Sequence, residues 1–328
     1  MFNNLRPGVY ARYDLSGASY HGGGKAAALI LNRGVGDPAG LHIIKHPQDI
    51  PSASCGLARD CLKLLFDGGV GKIYLLYREE NSDAFGELQP AGEIRAVVCG
   101  EDIPAAGLTA YLDGRSAAQR ECLAFIGADA PQSAVTAAEK LSHGRVCVCA
   151  TAVSISGGEG PSGIYGACCL AAAVLSNENP LRCFSGMDFP TLQSAPQLPE
   201  TEVQSLLAAG VCVFEEIGGS VRLIRAMTVS PDKTLRGLNT VLIIDYVMDR
   251  LRGCLHRRVS AGVVNPQSIR DQVTAELAAI TDEGVLADFA PPNCYSSKED
   301  PALCIVELAF SAAHLISRIH ITARITTN

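Results

Sequence analysis

Leu206-Leu207-Ala208-Ala209-Gly210-Val211-Cys212-Val213-Phe214-Glu215-Glu216-Ile217-Gly218-Gly219-Ser220-Val221-Arg222-Leu223 is the passage with the clearest local grammar. It continues a helix opened by Pro199-Glu200-Thr201-Glu202, whose early acidic residues suit the positive end of the helix dipole. Gly210 closes that helix. Two apolar-rich strands follow, 211–217 and 220–228, joined by a Gly218-Gly219 turn, the pattern of a hairpin with a two-residue loop.

Working backward from this hairpin, helices and strands alternate. Apolar runs at 26–31, 72–77, 94–99 and 145–150 read as strands. Helical spacing covers 55–66, 116–125, 133–141 and the almost wholly apolar 164–175, which must be covered on most sides. This alternation implies an α/β layer with some parallel pairing. Working forward, a helix of about seventeen residues is expected from Asn239, with Val241, Ile244, Val247, Met248, Leu251 and Leu255 on one face. Asn265-Pro266 caps a second helix to Asp282, ended by Gly284. Residues 303–310 read as one long strand. The chain then reaches Arg318-Ile319-His320-Ile321-Thr322-Ala323-Arg324-Ile325, whose strict alternation marks a strand with one buried face. That strand either joins the chain's own sheet or adds to the edge of a neighbour's.

Composition excludes several classes of function. The 328 residues allow two domains, and with no Trp and 5% aromatics the core must be built from aliphatic side chains. A net charge of -7 without a basic run speaks against nucleic acid. No apolar stretch has the ~20 residues of a membrane helix and no leader is visible, so a soluble cytoplasmic product without membrane insertion is expected. The 13 cysteines are odd in number, lack any Cys-x-x-Cys pair and sit in apolar runs, so they read as reduced, buried thiols.

Candidate chemistry is thin. Gly22-Gly23-Gly24-Lys25 lacks Walker spacing and reads as a hinge. His42 and His46 have no acid partner pattern. The loop Ser156-Gly157-Gly158-Glu159-Gly160-Pro161-Ser162-Gly163 follows a strand and precedes a helix, where an α/β enzyme would hold a ligand. It matches no phosphate or nucleophile motif and reads as a mobile surface loop. No catalytic, cofactor-binding or metal-ligating set emerges. The alternative function is a cytoplasmic α/β enzyme with a small ligand at loop 157–163, using one of the thiols.

The ordered set formed by Gly163-Ile164-Tyr165-Gly166-Ala167, Asn179-Pro180-Leu181, Phe184-Ser185-Gly186, the hairpin passage through Arg225-Ala226-Met227-Thr228 and Leu238-Asn239-Thr240-Val241-Leu242-Ile243-Ile244-Asp245-Tyr246-Val247 resembles the contractile tail sheath proteins of phages and phage-tail-like particles, R-type bacteriocins and contractile injection systems among them. Pro7-Gly8-Val9-Tyr10 looks like the family's N-terminal arm. The match is good over 160–326, loose over 5–35 and weak over 36–150. It implies an N-terminal arm (1–20), a mixed-sheet α/β outer body (21–235), a small helix-and-strand inner domain (236–315) and a C-terminal arm (316–328). It implies hexameric rings stacked around a tail tube, with baseplate and tail-terminator proteins as further partners, assembled in the bacterial host cytoplasm. The arm residues carried over are Pro7, Val9, Tyr10, Arg12 and Tyr13, and Arg318, Ile319, His320, Ile321, Ala323, Arg324 and Ile325; the resemblance favours donation of these strands to neighbours. The inner domain would face the tube, with Arg250, Arg252, Arg257, Arg258, Arg270 and Asp271 as expected contacts.

Overall fold

The computed structural model describes residues 25–79, 83–260, 265–300 and 303–313, with the side chains of 257–260 left out. The expected arm residues, from Pro7 to Tyr13 and from Arg318 to Ile325, lie outside the described residues.

The strands of the body are β1 (Ala26–Asn32), β2 (Gly40–Ile44), β3 (Lys72–Arg78), β4 (Ile94–Gly100), β5 (Leu123–Gly127), β6 (Val146–Ala150), β7 (Ser154–Ile155), β8 (Leu192–Ser194), β9 (Cys212–Ile217) and β10 (Ser220–Leu223). Its helices are α1 (Gly56–Asp67), α2 (Ala84–Leu88), α3 (Ala105–Ala117), α4 (Pro131–Leu141), α5 (Gly163–Leu175) and α6 (Glu200–Ala208). Then come α7 (Leu238–Ser260), α8 (Pro266–Asp282), β11 (Leu286–Phe289), β12 (Asn293–Ser296), β13 (Cys304–Glu307) and β14 (Phe310–Ala312).

Eight strands form one sheet in the order β10-β9-β6-β5-β4-β1-β3-β2. The six inner strands are parallel; β2 and β10 close the two ends antiparallel. Side-chain alternation sorts the sheet into two dry faces. Leu29, Leu75, Val98, Phe125, Cys147 and Phe214 point to one, where α1, α5 and the start of α7 pack. Ala28, Leu76, Val97, Ile126, Val148 and Val213 point to the other, under α2, α3, α4 and α6. Helix α5 is buried along its whole length. It lies as close as backbone allows: a Cβ on Gly127 would come within 2.3 Å of the Ile164 backbone, and one on Gly163 within 2.2 Å of the Ala128 carbonyl.

The hairpin forms as its glycines dictate, with φ of 63° at Gly218 and 82° at Gly219 and Ile217 paired to Ser220. Asn265 caps α8 by accepting the Ser268 N–H at 2.7 Å.

Four expectations need correction. Residues 116–125 are not a helix: α3 ends at Ala117, Gln119 turns the chain in the left-handed region, and Leu123–Gly127 is a central strand. A short apolar run does not declare its period, and here the sheet decides it. The second hairpin strand is shorter than expected and ends at Leu223, with Ile224 N–H still donating in register to Val213 O. Helix α7 has 23 residues, longer than its apolar stripe required. The strand expected at 303–310 is two, β13 pairing with β12 and β14 with β11.

Helix α7 belongs to two cores. Leu238, Val241 and Leu242 pack with the body, while Ile243, Val247, Leu251 and Leu255 pack with Val273, Leu277 and Ile280 of α8 and with β11.

Candidate functional site

In a doubly wound sheet, ligands bind beyond the carboxyl ends of the strands where the order reverses, here between β1 and β4. The chain fills that crevice with its own side chains. Arg78 at the end of β3 donates to Asn32 Oδ1 at 2.7 Å and pairs with Asp102 at 3.3 Å, and Asn32 donates to the same Asp102 carboxylate. Arg33 pairs with Glu79 at 2.5 Å.

Two helix N-termini at this end, those of α5 and α1, are filled as well. A helix N-terminus attracts anions through its free N–H groups and dipole. At α5 the anion is Asp129, whose Oδ1 accepts the Gly163 N–H at 2.6 Å. At α1 the Asp37 carboxylate accepts the Cys55 N–H at 2.9 Å, and Glu159 lies over Gly56, where a Cβ would meet its Oε1 at 1.9 Å.

This also decides the character of loop 157–163. It was expected to be mobile, yet Asp60 holds it: the Asp60 carboxylate accepts the Glu159 N–H at 3.1 Å and the Tyr165 hydroxyl at 2.8 Å. Val153 and Ser162 exchange backbone bonds beneath it. Beside it runs an open groove of about 280 Å³, lined by Leu57, Glu159, Pro161 and Tyr165.

The thiols are free, as read, and nine of the 13 are buried. Burial pushes Cys122 and Cys169 up to about 12 and Cys99 higher still. The half-exposed Cys55, Cys294 and Cys304 are also raised, again by burial first. A nucleophilic thiol needs the opposite shift. Cys212 has it, lowered by hydrogen bonds from Cys147 and Cys149, but it is fully buried between strands of the sheet and its neighbours, with no surface open to a substrate. Among the described residues no cluster of His, Cys, Asp and Glu could hold a metal ion, and no helix is long and apolar enough to cross a membrane.

Among the described residues, the expected tube-contact residues differ in exposure and in partners. Arg252 is a correction: it is buried and pairs with Glu121 of the body at 3.2 Å, so its charge is not presented outward. Arg250 is spent between α7 and α8, bridging Glu276 at 2.7 Å and, just beyond α8, Glu283 at 3.0 Å. Arg270 is half-buried, and Asp271 is exposed and accepts from Gln267. The side chains of Arg257 and Arg258 lie outside the described residues.

Sequence reasoning missed the partners that hold Arg252. Asp245, Asp249 and Arg252 stand at i, i+4 and i+7 on α7, a polar face that could have been noticed beside the apolar one. Their counterparts, Arg95, Glu121 and Arg145, stand at the starts of β4, β5 and β6.

Strand edges complete the site. The outer edge of β10 is met by residues 186–189, through Gly186 N–H to Leu223 O and Phe189 N–H to Val221 O. β2 forms the other end of the large sheet and leaves Ile43 half exposed. β11-β14 and β12-β13 are two-stranded ribbons, so among the described residues each of these four strands has one side without a strand partner.

No family model and no curated protein sequence matches this chain. Its fold is that of solved contractile sheath proteins. The sheath complex of an extracellular contractile injection system, PVC, in its contracted state superposes with a TM-score of 0.72 at 11% identity, covering 99% of this chain and 98% of that one. The contracted helical sheath of the anti-feeding prophage gives 0.67 at 15% identity, covering 97% and 98%. The sheath tail protein of Listeria innocua gives 0.61 at 11% identity over 90% and 93%.

Proposed function

We propose that this chain is the structural subunit of a contractile tail sheath, polymerising as stacked hexameric rings around a tail tube and contracting to drive that tube through a target envelope. The likeness to sheath subunits over nearly the full length of both chains carries the reading. The self-filled crevice and the raised thiols support it over the enzyme alternative, because both remove the features a ligand site would need.

In this reading residues 1–20 and 316–328 are arms, 21–235 the outer body and 236–315 the inner domain. The open sides of β11-β14 and β12-β13 accept neighbours' strands. Main-chain bonds would hold the arm, and Ile319, Ile321 and Ile325 would set its register by burying one face, each worth ~1.5–3 kcal/mol. A mesh of that kind stays joined while bodies slide, and lets the extended state persist behind a barrier. Assembly would take place in the host cytoplasm with tube, baseplate and terminator proteins as partners. The tube contact is kept for Arg257, Arg258, Arg270 and Asp271, polar and modest as a releasable contact should be.

Electron microscopy of the overexpressed chain tests this. Tubes with a helical lattice are expected. A monodisperse soluble protein that never polymerises, even when concentrated, would overturn the reading.

A further inference from the structure

Apolar packing fixes the slide of α7 only weakly where it faces α8. There Ile243, Val247, Leu251 and Leu255 follow one another at four-residue spacing, so a slide of one turn, about 5.4 Å, exchanges one aliphatic contact for another. Charges do not exchange so freely. Arg145, fully buried at the start of β6, pairs with Asp245 at 2.8 Å. Glu121, just before β5, pairs with Arg252 at 3.2 Å, with 1% and 5% of the two side chains exposed. Arg95 in β4 stands within electrostatic reach of Glu121 and Asp249. Three cations face three anions in the order Asp, Asp, Arg along one helix face.

We infer that Arg95, Glu121, Arg145, Asp245, Asp249 and Arg252 form a lock that fixes α7 at one slide and one rotation against the sheet, and so holds the C-terminal domain rigidly to the body. A slip of one turn in one direction brings Val241 opposite Arg145 and strands a buried guanidinium. A slip in the other keeps Arg145 matched, by Asp249, but carries Arg252 away from Glu121 and toward Arg95. Either move leaves a buried charge uncompensated, which is the costly state of such networks. Apolar replacement of whole pairs, by contrast, costs little stability. The lock therefore acts on geometry more than on folding energy.

The seam is polar to its centre. Arg145 Nε and the Nε and Nη1 of Arg95 have no protein hydrogen-bond partner among the described residues. They stand beside a cavity of about 10 Å³ lined also by Glu121 and Asp245, the size that holds one water. A water placed there would accept from the arginines and donate to the carboxylates.

The inference concerns one subunit and stands whether or not the chain forms a sheath. Its test is a distance distribution between spin labels carried by non-canonical residues at exposed positions 87 and 298, one in the body and one in the β12–β13 connection. Labelled full-length chain is diluted into unlabelled chain, so that only distances within one molecule are read. A single narrow peak is expected; a broad or two-peaked distribution in this chain overturns the lock outright. The variant Glu121→Leu, Arg145→Met, Asp245→Leu, Arg252→Met should keep its melting temperature within a few degrees and at least double the width of the peak. An unchanged width in the folded variant overturns the lock. Charge reversal gives the second arm: Arg145→Asp and Asp245→Arg alone should each broaden the peak, and together restore it. A double variant as broad as the singles also overturns the lock.

Discussion

The body and the C-terminal domain solve the same burial problem to different degrees. The body covers both faces of an eight-stranded sheet, wraps α5 on every side and closes one sheet edge with its own residues 186–189. The C-terminal domain rests two helices on two ribbons of two strands each, and all its strand residues but Leu286 are half-buried or exposed. An isolated two-stranded ribbon is marginal in water, and open edges invite pairing. One region is finished by its own sequence; the other, among the described residues, keeps strand edges open to whatever would add to them.

The sharpest way to break that comparison is to remove what would do the adding. Deleting residues 317–328 should abolish polymerisation while leaving the body folded, so that far-ultraviolet circular dichroism and the main melting transition stay close to those of the full chain. Tubes formed by the truncated chain would show that the edges are not completed by this segment.

The body should be intolerant where the C-terminal domain is forgiving. Gly127→Val puts a branched side chain where Ile164 backbone atoms already lie 2.3 Å from a mere Cβ. Sheet and α5 must separate, and overpacking with backbone on both sides places this beyond the usual 1–3 kcal/mol, at about 4 kcal/mol or more. Insoluble expression, or a urea midpoint reduced by more than half, is the expected outcome. A mild variant would mean that α5 can lift off the sheet.

How far this contrast was legible in the sequence follows from its physics. The body's strands were readable because buried parallel strands are continuous apolar runs, and the hairpin because Gly218 and Gly219 leave few other turns. Helix α3 is not legible: Ala105-Ala106-Gly107 and Gly114 carry little periodic signal, and the apolar Leu123-Ala124-Phe125-Ile126 run draws the expected helix downstream. The arginine grip was misjudged at Arg252 for another reason. Its partner Glu121 lies 131 positions away, as Asp245 lies 100 from Arg145. Charge complementarity at that separation is written in the fold, not in any window of the chain.

Alkaline pH should strike the body first. The thiols of Cys122 and Cys169 are held near 12 by burial, above their ordinary value of 9.0. With the folded pKa raised, the folded state keeps protons that the unfolded chain releases. The stabilisation is therefore complete below about pH 9 and is lost as pH climbs toward 12. At pH 10 each such thiol costs on the order of 1 kcal/mol. Urea midpoints at pH 8 and pH 10 and equal ionic strength should fall accordingly, and Cys122→Ala with Cys169→Ala should flatten the slope even if it lowers the starting stability. A slope untouched by that pair would assign the alkaline loss to other groups.

The smallest expected effect lies in the less complete region. Gly253 sits inside α7, exposed, with helical backbone geometry, and a Cβ added there meets nothing within 4 Å. Gly253→Ala removes conformations from the unfolded chain without touching a neighbour, a gain of ~0.4–1 kcal/mol. Where that gain appears sharpens the comparison. If α7 joins body and C-terminal domain into one cooperative unit, the single melting transition moves up by a degree or two as a whole. If the C-terminal domain melts apart from the body, only an early, minor transition moves, and amide exchange slows in α8 and β11 while the strands of the large sheet keep their rates. A Gly253→Ala chain that gains stability yet polymerises more poorly would reveal a third situation, in which the bare glycine surface is itself part of the contact between subunits.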